Sequence, residues 1–432
     1  EKTFVFIKRQ VPPQTAEQIA ALKLPGIHQE KEYRRYYPSG EMTAHLVGFT
    51  GVDDKGLEGV ELAFQQSLLG RPGARTVIRD RRGSIIEDVG ATRPPRDGTD
   101  ITLAIDSKIQ YLAYSHLKAA VAEHHAKGGG VVVLDTRTGE ILALVNWPTY
   151  NPNNRAKLSG EQLRNRAVTD TFEPGSTLKP FTVALGLEKG KYRYDTPIDV
   201  SPGRITIGRA VISDTHAHKI LTVAEVVQKS SNVGTTKMAL SMPAESMWEM
   251  FDNLGFGKSP QLGFPGEVGG RLRAWKNWRP IEQATMSYGH GISVSLIQLA
   301  RAYTVFARDG DIVPVSLLRT EEPVVRGKPV FSAQTARELK AMLELVVQPG
   351  GTATQAAVPG YRVGGKTGTA HKLEGGVYAN KYISSFVGIA PISNPRLVVA
   401  VMLDEPSAGR YYGGQIAGPV FSGVMGGALR TL

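Results

Sequence analysis

A serine and a lysine three residues apart form the first motif that could carry out covalent chemistry. Ser176 is followed by Lys179 and Pro180. Because proline fits only the first turn of a helix, a helix over residues 181–188 must begin near Ser176. Lys179 would then lie one turn further along the same face, where a partly desolvated amine can take the proton of a serine nucleophile. Alone, the motif is more simply explained by a capping serine and a surface lysine.

A second motif places two polar side chains in a predicted turn. Ser230 and Asn232 belong to a run of small polar residues that follows the helical pattern over residues 222–228. Both side chains can project from such a turn, Ser230 as a proton relay and Asn232 as a clamp for a peptide amide. A turn that only ends the helix is the alternative.

The third motif is a glycine-rich segment over residues 364–370, which precedes the last hairpin and is predicted to be a strand. Glycine within a strand often marks the close approach of another backbone, as Gly368 would here. Lys366 places a cation on this strand, and Thr367 and Thr369 place two hydroxyls on one side of it. The set suits a bound peptide that ends in a carboxylate. The alternative is an edge strand with a solvated lysine.

The surrounding elements predict an α+β domain with an antiparallel sheet closed by both ends of the chain. Apolar runs at residues 131–134 and 141–146 predict one hairpin in the middle of the sheet. Residues 382–390 and 397–404 predict another, and the segment between the two hairpins is mostly helical.

The first hundred residues are polar and rich in turns, and a linker follows them. A proline- and glycine-containing segment at residues 93–98 separates a domain over 1–98 from one over 99–432. After this segment, residues 101–105 alternate as a strand. Asp106 then caps a helix predicted over 108–124.

Composition narrows the classes of function. The 432 residues carry a formal net charge of +11 and contain no cysteine. Disulfides, thiolate metal sites and a cysteine nucleophile are therefore excluded. Lys and Arg are scattered, which argues against nucleic-acid binding and favours an anionic polymer or a membrane surface as the target of the charge. No run of about 18 apolar residues is present, and the start at Glu1 without a signal peptide suggests a fragment of a longer protein.

The three motifs together change the interpretation. S-x-x-K, S-x-N and K-T-G in this order, on helix, turn and strand, are the combination known from penicillin-binding proteins and class A β-lactamases. Further segments resemble the division-specific class B penicillin-binding proteins of Gram-negative bacteria, and the resemblance spans the whole chain. These segments are residues 34–40, 56–61, 150–153, 229–232, 411–414 and 427–430. One departure is His290, where the family usually has tyrosine.

The resemblance implies a penicillin-recognising serine transpeptidase fold, in which helices flank an antiparallel sheet and form an all-helical lobe. An elongated, non-catalytic pedestal would precede it. The expected enzyme is a peptidoglycan D,D-transpeptidase that cross-links stem peptides during septal wall synthesis and is a target of β-lactams. No metal or organic cofactor is expected. A single-pass anchor upstream would attach it to the inner membrane, with the catalytic domain in the periplasm.

The resemblance also implies roles for the motif residues. Ser176 would attack the penultimate D-Ala carbonyl, and Lys179 would accept its proton. The backbone N–H groups of Ser176 and Thr369 would form an oxyanion hole. Ser230 and Lys366 would relay a proton to the leaving D-Ala.

The remaining motif residues would bind substrate. Asn232 would hold the peptide amide, and Thr367 with Thr369, which flank Gly368, would hold the terminal carboxylate. Tyr382, Tyr411 and Tyr412 would form an aromatic wall, although all three are equally well explained as half-buried sheet residues.

Two alternatives remain, a serine hydrolase and a penicillin-binding sensor or scaffold without turnover. The hydrolase would be a β-lactamase or a D,D-carboxypeptidase, but Glu173 is not where class A β-lactamases keep the carboxylate that activates water. Resemblance further implies a membrane glycosyltransferase and other division proteins as partners. Residues 34–61 are the predicted docking surface.

Overall fold

The computed structural model describes residues 5–82 and 84–432. The chain divides into an N-terminal unit, residues 1–101 with 150–157, and a C-terminal unit, residues 102–149 with 158–432. The segment 150–157 belongs to the N-terminal unit because it is hydrogen-bonded there. Tyr150 donates its hydroxyl to the Ala44 carbonyl at 2.9 Å, and Asn153 exchanges hydrogen bonds with the Tyr37 backbone at 2.9 and 3.0 Å. Sequence reasoning had placed this segment in the second domain.

The N-terminal unit consists of short elements joined by turns. Its helices are α1 (Pro13–Ala21), α2 (Ala44–Val47), α3 (Gly59–Ala63) and α4 (Gln65–Leu68), and its strands are β1 (Phe49–Thr50), β2 (Gly56–Glu58), β3 (Ala74–Arg79) and β4 (Ile85–Arg93). β1 pairs with β2, and β3 pairs with β4 in an exposed hairpin whose register shifts three times.

The C-terminal unit is organised around a five-stranded antiparallel sheet. Its strands are β5 (Gly128–Asp135), β6 (Ile141–Trp147), β13 (Gly364–Glu374), β14 (Val377–Ala390) and β15 (Leu397–Asp404), in the order β13-β14-β15-β5-β6. Three two-stranded ribbons lie outside it, formed by β7 (Pro197–Asp199) with β10 (Ile220–Thr222), β8 (Arg204–Ile207) with β9 (Ala210–Ser213), and β11 (Asp311–Ile312) with β12 (Lys328–Pro329).

Helices cover both faces of this sheet. The helices of this unit are α5 (Ser107–Glu123), α6 (Gly160–Leu163), α7 (Arg166–Thr169), α8 (Lys179–Glu188), α9 (Val223–Lys229), α10 (Asn232–Leu240), α11 (Ala244–Asn253), α12 (Pro280–Met286), α13 (Leu296–Ala302), α14 (Thr304–Ala307), α15 (Ala333–Val347) and α16 (Gly413–Leu429). α5, α7, α13, α14, α15 and α16 pack on the sheet, whereas α10, α11 and α12 pack mainly on other helices. Consecutive glycines of β5 show the two layers, because Gly129 faces Leu117 of α5 and Gly130 faces Leu296 of α13. No helix among residues 5–82 and 84–432 is long and apolar enough to cross a bilayer.

The structure has the predicted sheet, with both ends of the domain contributing strands. The helix predicted over 108–124 is α5, and Asp106 caps it by accepting hydrogen bonds from Lys108 N and Ile109 N. The strand predicted over 101–105 is wrong, since Leu103 forms only an isolated bridge with Leu318.

The first hairpin forms as predicted, but β6 is an edge strand rather than a central one. It is buried all the same. Gln110 of α5 bonds both the carbonyl and the N–H of Leu144, at 2.9 and 2.8 Å. A helix side chain therefore supplies the hydrogen bonds that a neighbouring strand would supply.

Candidate active site

The nucleophile candidate lies in a 3-10 turn, Gly175–Leu178, that leads directly into α8. Pro180 is the second residue of α8, where its missing N–H costs nothing. This turn sits on β13. A Cβ added at Gly368 would come within 2.9 Å of the Pro174 carbonyl oxygen and of Thr177 Cγ2, so only glycine permits this approach. The prediction that glycine marks a close backbone contact is confirmed.

Two lysines meet at one serine hydroxyl. Lys179 Nζ donates to the Ser230 carbonyl at 2.6 Å and to Ser230 Oγ at 3.0 Å. Lys366 Nζ donates to the same Oγ at 2.8 Å. Ser230 ends α9 with φ +59°, a left-handed conformation that non-glycine residues seldom adopt. The fold therefore brings together side chains that lie up to 187 positions apart in the sequence, from Lys179 to Lys366.

Burial changes the basicity of both lysines. Lys179 is 1% and Lys366 0% exposed. Loss of water lowers the pKa of Lys179 to about 7, although the negative charge of Asp214 acts in the opposite direction. Burial, and then the charge of Lys179, lowers the pKa of Lys366 well below its ordinary value. A lysine that is partly neutral near pH 7 can accept a proton, which an exposed lysine cannot.

Ser176 itself is half-buried. In the described part of the chain its hydroxyl makes no hydrogen bond to Lys179, a common state of acyl-transfer sites before a substrate tightens the geometry.

Gly289 helps to place the nucleophile turn. Its φ is +87°, and Gly175 N donates to its carbonyl at 3.1 Å.

The Asn232 amide is held by the fold. Its Nδ2 donates to the Ser213 carbonyl of β9 at 2.9 Å. The next residue of the chain, Asp214, accepts hydrogen bonds from Ser231 Oγ at 2.7 Å and Val233 N at 2.9 Å. Sequence reasoning missed Asp214, because no spacing relates it to the turn that it contacts.

The two threonines of the third motif bond to different neighbours, Thr369 to the start of α16 and Thr367 to Thr352. Thr369 Oγ1 accepts from Gly413 N at 3.0 Å, and Thr367 Oγ1 lies 3.2 Å from Thr352 Oγ1. Lys366 Nζ is 3.2 Å from Thr367 Oγ1. The lysine and the first hydroxyl are therefore in contact, and the Thr369 hydroxyl follows two residues further along β13.

The three predicted wall tyrosines stand side by side. Tyr382 and Tyr411 stack with ring centroids 4.1 Å apart and planes 11° from parallel, and Tyr412 follows at 4.6 Å. His371 extends the row, with its ring 4.5 Å from Tyr382. Ser384 Oγ donates to the Tyr411 carbonyl, which ties the row to β14.

The Glu173 carboxylate joins three segments of the chain in a cluster that sequence reasoning missed. We call this cluster, Glu173 with His290, Gly291 and Tyr378, the rim. Glu173 accepts hydrogen bonds from Gly291 N at 2.7 Å and from the Tyr378 hydroxyl at 3.0 Å, and it lies 3.1 Å from His290 Nδ1. Burial opposes ionisation, but His290, Gly291 and Tyr378 outweigh it and lower the pKa of Glu173. The same contact, after burial, raises the pKa of Tyr378 to about 12.

Comparison with known proteins identifies the family. Residues 129–426 match the penicillin-binding protein transpeptidase domain, and residues 1–103 match the penicillin-binding protein dimerisation domain. The chain belongs to the penicillin-binding protein transpeptidases. The transpeptidase match contains all three motifs.

Relatives of this transpeptidase cover nearly the whole chain. It is 49% identical to the probable peptidoglycan D,D-transpeptidase PenA of Neisseria meningitidis serogroup A, over 100% of this chain and 74% of the relative. It is 45% identical to the peptidoglycan D,D-transpeptidase FtsI of Escherichia coli K12, over 99% of this chain and 72% of the relative. The transpeptidase domain of Burkholderia pseudomallei penicillin-binding protein 3 is 52% identical, with a TM-score of 0.71, over 76% of this chain and 96% of that one.

These matches confirm the predicted family, the predicted α+β fold with its N-terminal domain, and the prediction of a peptidoglycan D,D-transpeptidase.

Proposed function

We propose that the protein cross-links peptidoglycan stem peptides through an acyl-enzyme on Ser176, during septal wall synthesis, and that β-lactams acylate the same serine. The observation that carries this proposal is the Ser230 hydroxyl, which two buried lysines share. A base of lowered pKa and a proton relay next to the nucleophile's helix are what acyl transfer at neutral pH requires.

Acylation begins at the penultimate D-Ala of the donor stem peptide. Ser176 Oγ attacks the carbonyl carbon, and its proton passes to the neutral amine of Lys179. The backbone N–H groups of Ser176 and Thr369 stabilise the negative oxygen of the tetrahedral intermediate. Removing one such donor costs about 3 kcal/mol of activation free energy in comparable enzymes. An added Cβ at Gly175 would lie 3.6 Å from Thr369 O. This closeness of the nucleophile turn to β13 supports an oxyanion hole formed by one N–H from each.

Collapse of the intermediate breaks the C–N bond to the terminal D-Ala. Its nitrogen leaves as an amine after taking a proton through Ser230, which is bonded to both Lys179 and Lys366. The amine of a second stem peptide then attacks the ester carbonyl and loses a proton through the same relay. Ser176 Oγ departs and is reprotonated, so the new peptide bond conserves the energy of the old one.

Substrate binding falls to the remaining motif residues. Asn232 holds the donor peptide amide, and Thr367 and Thr369 hold its terminal carboxylate beside Lys366. Gly368 contributes to this site by letting the nucleophile turn approach β13, which places Ser176 beside the bound peptide. The row formed by Tyr382, Tyr411 and Tyr412 is the aromatic wall of the cleft.

The N-terminal domain, residues 1–98, is proposed as a non-catalytic pedestal. The dimerisation-domain match supports this assignment. Family resemblance supports a single-pass anchor in the inner membrane, a periplasmic catalytic domain, and docking of a membrane glycosyltransferase and other division proteins around residues 34–61. Charge reversal at Arg34 and Arg35, which line one surface pocket, should impair division in a complementation assay while purified protein keeps its rate of acylation.

Intact mass after incubation with a β-lactam tests the acyl-enzyme. A stoichiometric adduct that persists for hours and maps to Ser176 is expected, and Ser176→Ala should give none while keeping its melting temperature. Rapid return to the unmodified mass with consumed drug would instead identify a hydrolase. Adduct formation on Ser176→Ala would show that the nucleophile is another residue. A stable adduct without cross-linking of stem peptides would identify a sensor.

A further inference from the structure

A single carboxylate from outside the motifs holds the turn that carries Ser230. Asp214 directly follows β9, and its two oxygens accept hydrogen bonds from Ser231 Oγ at 2.7 Å and Val233 N at 2.9 Å. None of the three motifs contains Asp214, and the reaction steps given above do not use it.

These two contacts fall at the beginning of α10. Ser231 is the N-cap of α10, and its hydroxyl accepts from Gly234 N at 2.9 Å. Asp214 satisfies a further free N–H, that of Val233, at the positive end of the helix. The carboxylate therefore fixes the chain immediately after Ser230. A residue with φ +59° keeps that conformation only when its surroundings determine it.

The ribbon that carries Asp214 is itself anchored. Ile212 of β9 is buried against Ala284 of α12 and Tyr288. The ribbon closes with a hydrogen bond from Asp214 N to the Gly203 carbonyl at 2.9 Å. Asp214 thus reaches the Ser230 turn from a packed support, which is what precise positioning of a second group requires.

The charges around Lys179 come from different elements. Lys366 of β13 shares the Ser230 hydroxyl. Lys229 of α9 turns away, donating from Nζ to the Gly350 carbonyl at 2.7 Å. Asp214 supplies the negative charge that acts on Lys179, raising the pKa of that amine against the effect of burial.

We propose that Asp214 is a positioning residue for acyl transfer, which holds the Ser230 turn through two hydrogen bonds and keeps a negative charge near Lys179. This inference rests on the proposed function, because it takes Lys179 as the base. Asp214 touches no reacting atom and acts through Ser230 and Lys179.

The test is the rate constant for acylation of the full chain by a chromogenic cephalosporin, measured from pH 5.5 to 9. Asp214→Asn keeps the shape and removes the charge. The plateau rate should fall about tenfold as the charged hydrogen bonds are lost. The midpoint of the acid limb should also move to lower pH, because Lys179 loses the charge that raises its pKa and stays neutral in more acid solution.

Two variants separate the charge from the hydrogen bonds. Ser231→Ala removes one bond to Asp214 but leaves its charge, so the plateau should fall at an unmoved midpoint. Asp195→Asn is the matched control. It makes the same change at a side chain that is 78% exposed and is paired with Arg193. Its plateau rate and its pH midpoint should both match those of the wild type.

A lower plateau at an unmoved midpoint in Asp214→Asn would overturn the proposal in favour of a purely structural role. A profile like that of Asp195→Asn would overturn it as well. If Asp214→Asn does not fold, Asp214→Glu and Ser231→Ala decide, since a wild-type plateau in both is incompatible with positioning. Wild-type protein that is never acylated would overturn the proposed function and with it this inference, whereas a normally acylated wild type with an unaffected Asp214→Asn would overturn the inference alone.

Discussion

Two polar clusters lie next to the nucleophile turn, one around Lys179 and Lys366 and one around Glu173. They differ in the charge state that they stabilise. At the centre, Lys179 and Lys366 are buried with hydroxyl and carbonyl partners and without a directly bonded carboxylate among the described residues. At the rim, Glu173 is bonded by three donors at once. The centre destabilises the charged form of its groups, and the rim stabilises the charge of its carboxylate.

The difference assigns the two clusters different roles, proton transfer to the centre and structural support to the rim. A group that must gain and lose a proton near neutral pH needs a pKa close to the working pH, which burial supplies at the centre. A group that must keep three segments together needs a charge that does not titrate there, and Glu173 has one. We therefore expect substitutions at the centre to change chemistry and substitutions at the rim to change geometry and stability.

Removal of the central base should have the largest effect. Lys179→Ala deletes the proton acceptor and leaves Lys366 buried beside a cavity. We expect a loss of about 10³-fold in the rate of acylation, within the range typical of general bases. Stopped-flow measurement with a chromogenic cephalosporin checks this, and circular dichroism verifies the fold. Acylation within tenfold of the wild type would show that Lys179 is not the base.

The centre should also show a titration near neutrality. Because the pKa of Lys179 is lowered to about 7, the neutral amine is the minor form below that pH and the major form above it. The rate of acylation should rise about tenfold per pH unit in acid solution and level off above pH 7 to 8. A rate that is flat from pH 5.5 to 9 would contradict the assignment.

The two clusters were not equally predictable from the sequence. The residues of the centre can be predicted from local spacing, because Ser176 with Lys179 and Ser230 with Asn232 are short motifs with a known chemistry. The helix start at Asp106 and the close approach at a glycine of β13 could also be predicted, because each depends on the residue type at one position.

What could not be predicted depends on distant residues. Glu173 meets His290 and Tyr378 only because the fold brings them from 117 and 205 positions away, and Asp214 meets Ser231 across 17 positions with no periodicity. The failed strand over 101–105 shows the converse. Its alternating pattern is real, but a strand needs a partner along its length, and here only Leu103 finds one.

Neutralising the rim carboxylate should have a moderate effect. Glu173→Gln loses the charge in three hydrogen bonds, and we expect about a tenfold slower acylation and a lower melting temperature at pH 7. Because folding lowers the pKa of Glu173, its stabilisation is present above the ordinary carboxyl pKa and is lost as the pH falls through the lowered value. Melting temperatures of the two proteins should therefore converge in acid, and a constant difference down to pH 3 would contradict this account.

The smallest expected effect comes from removing one donor to the rim. Tyr378→Phe deletes the hydroxyl bonded to Glu173 and leaves the ring, which packs edge-on against His290 with centroids 5.9 Å apart. We expect a loss of about 1 kcal/mol in stability and less than a fivefold change in acylation, at an unmoved pH midpoint, because the Lys179 environment is intact. Tyr111→Phe, at an exposed position of α5, is the matched control. A midpoint shift in Tyr378→Phe would mean that rim and centre are coupled, and the division between support and reactivity would not hold.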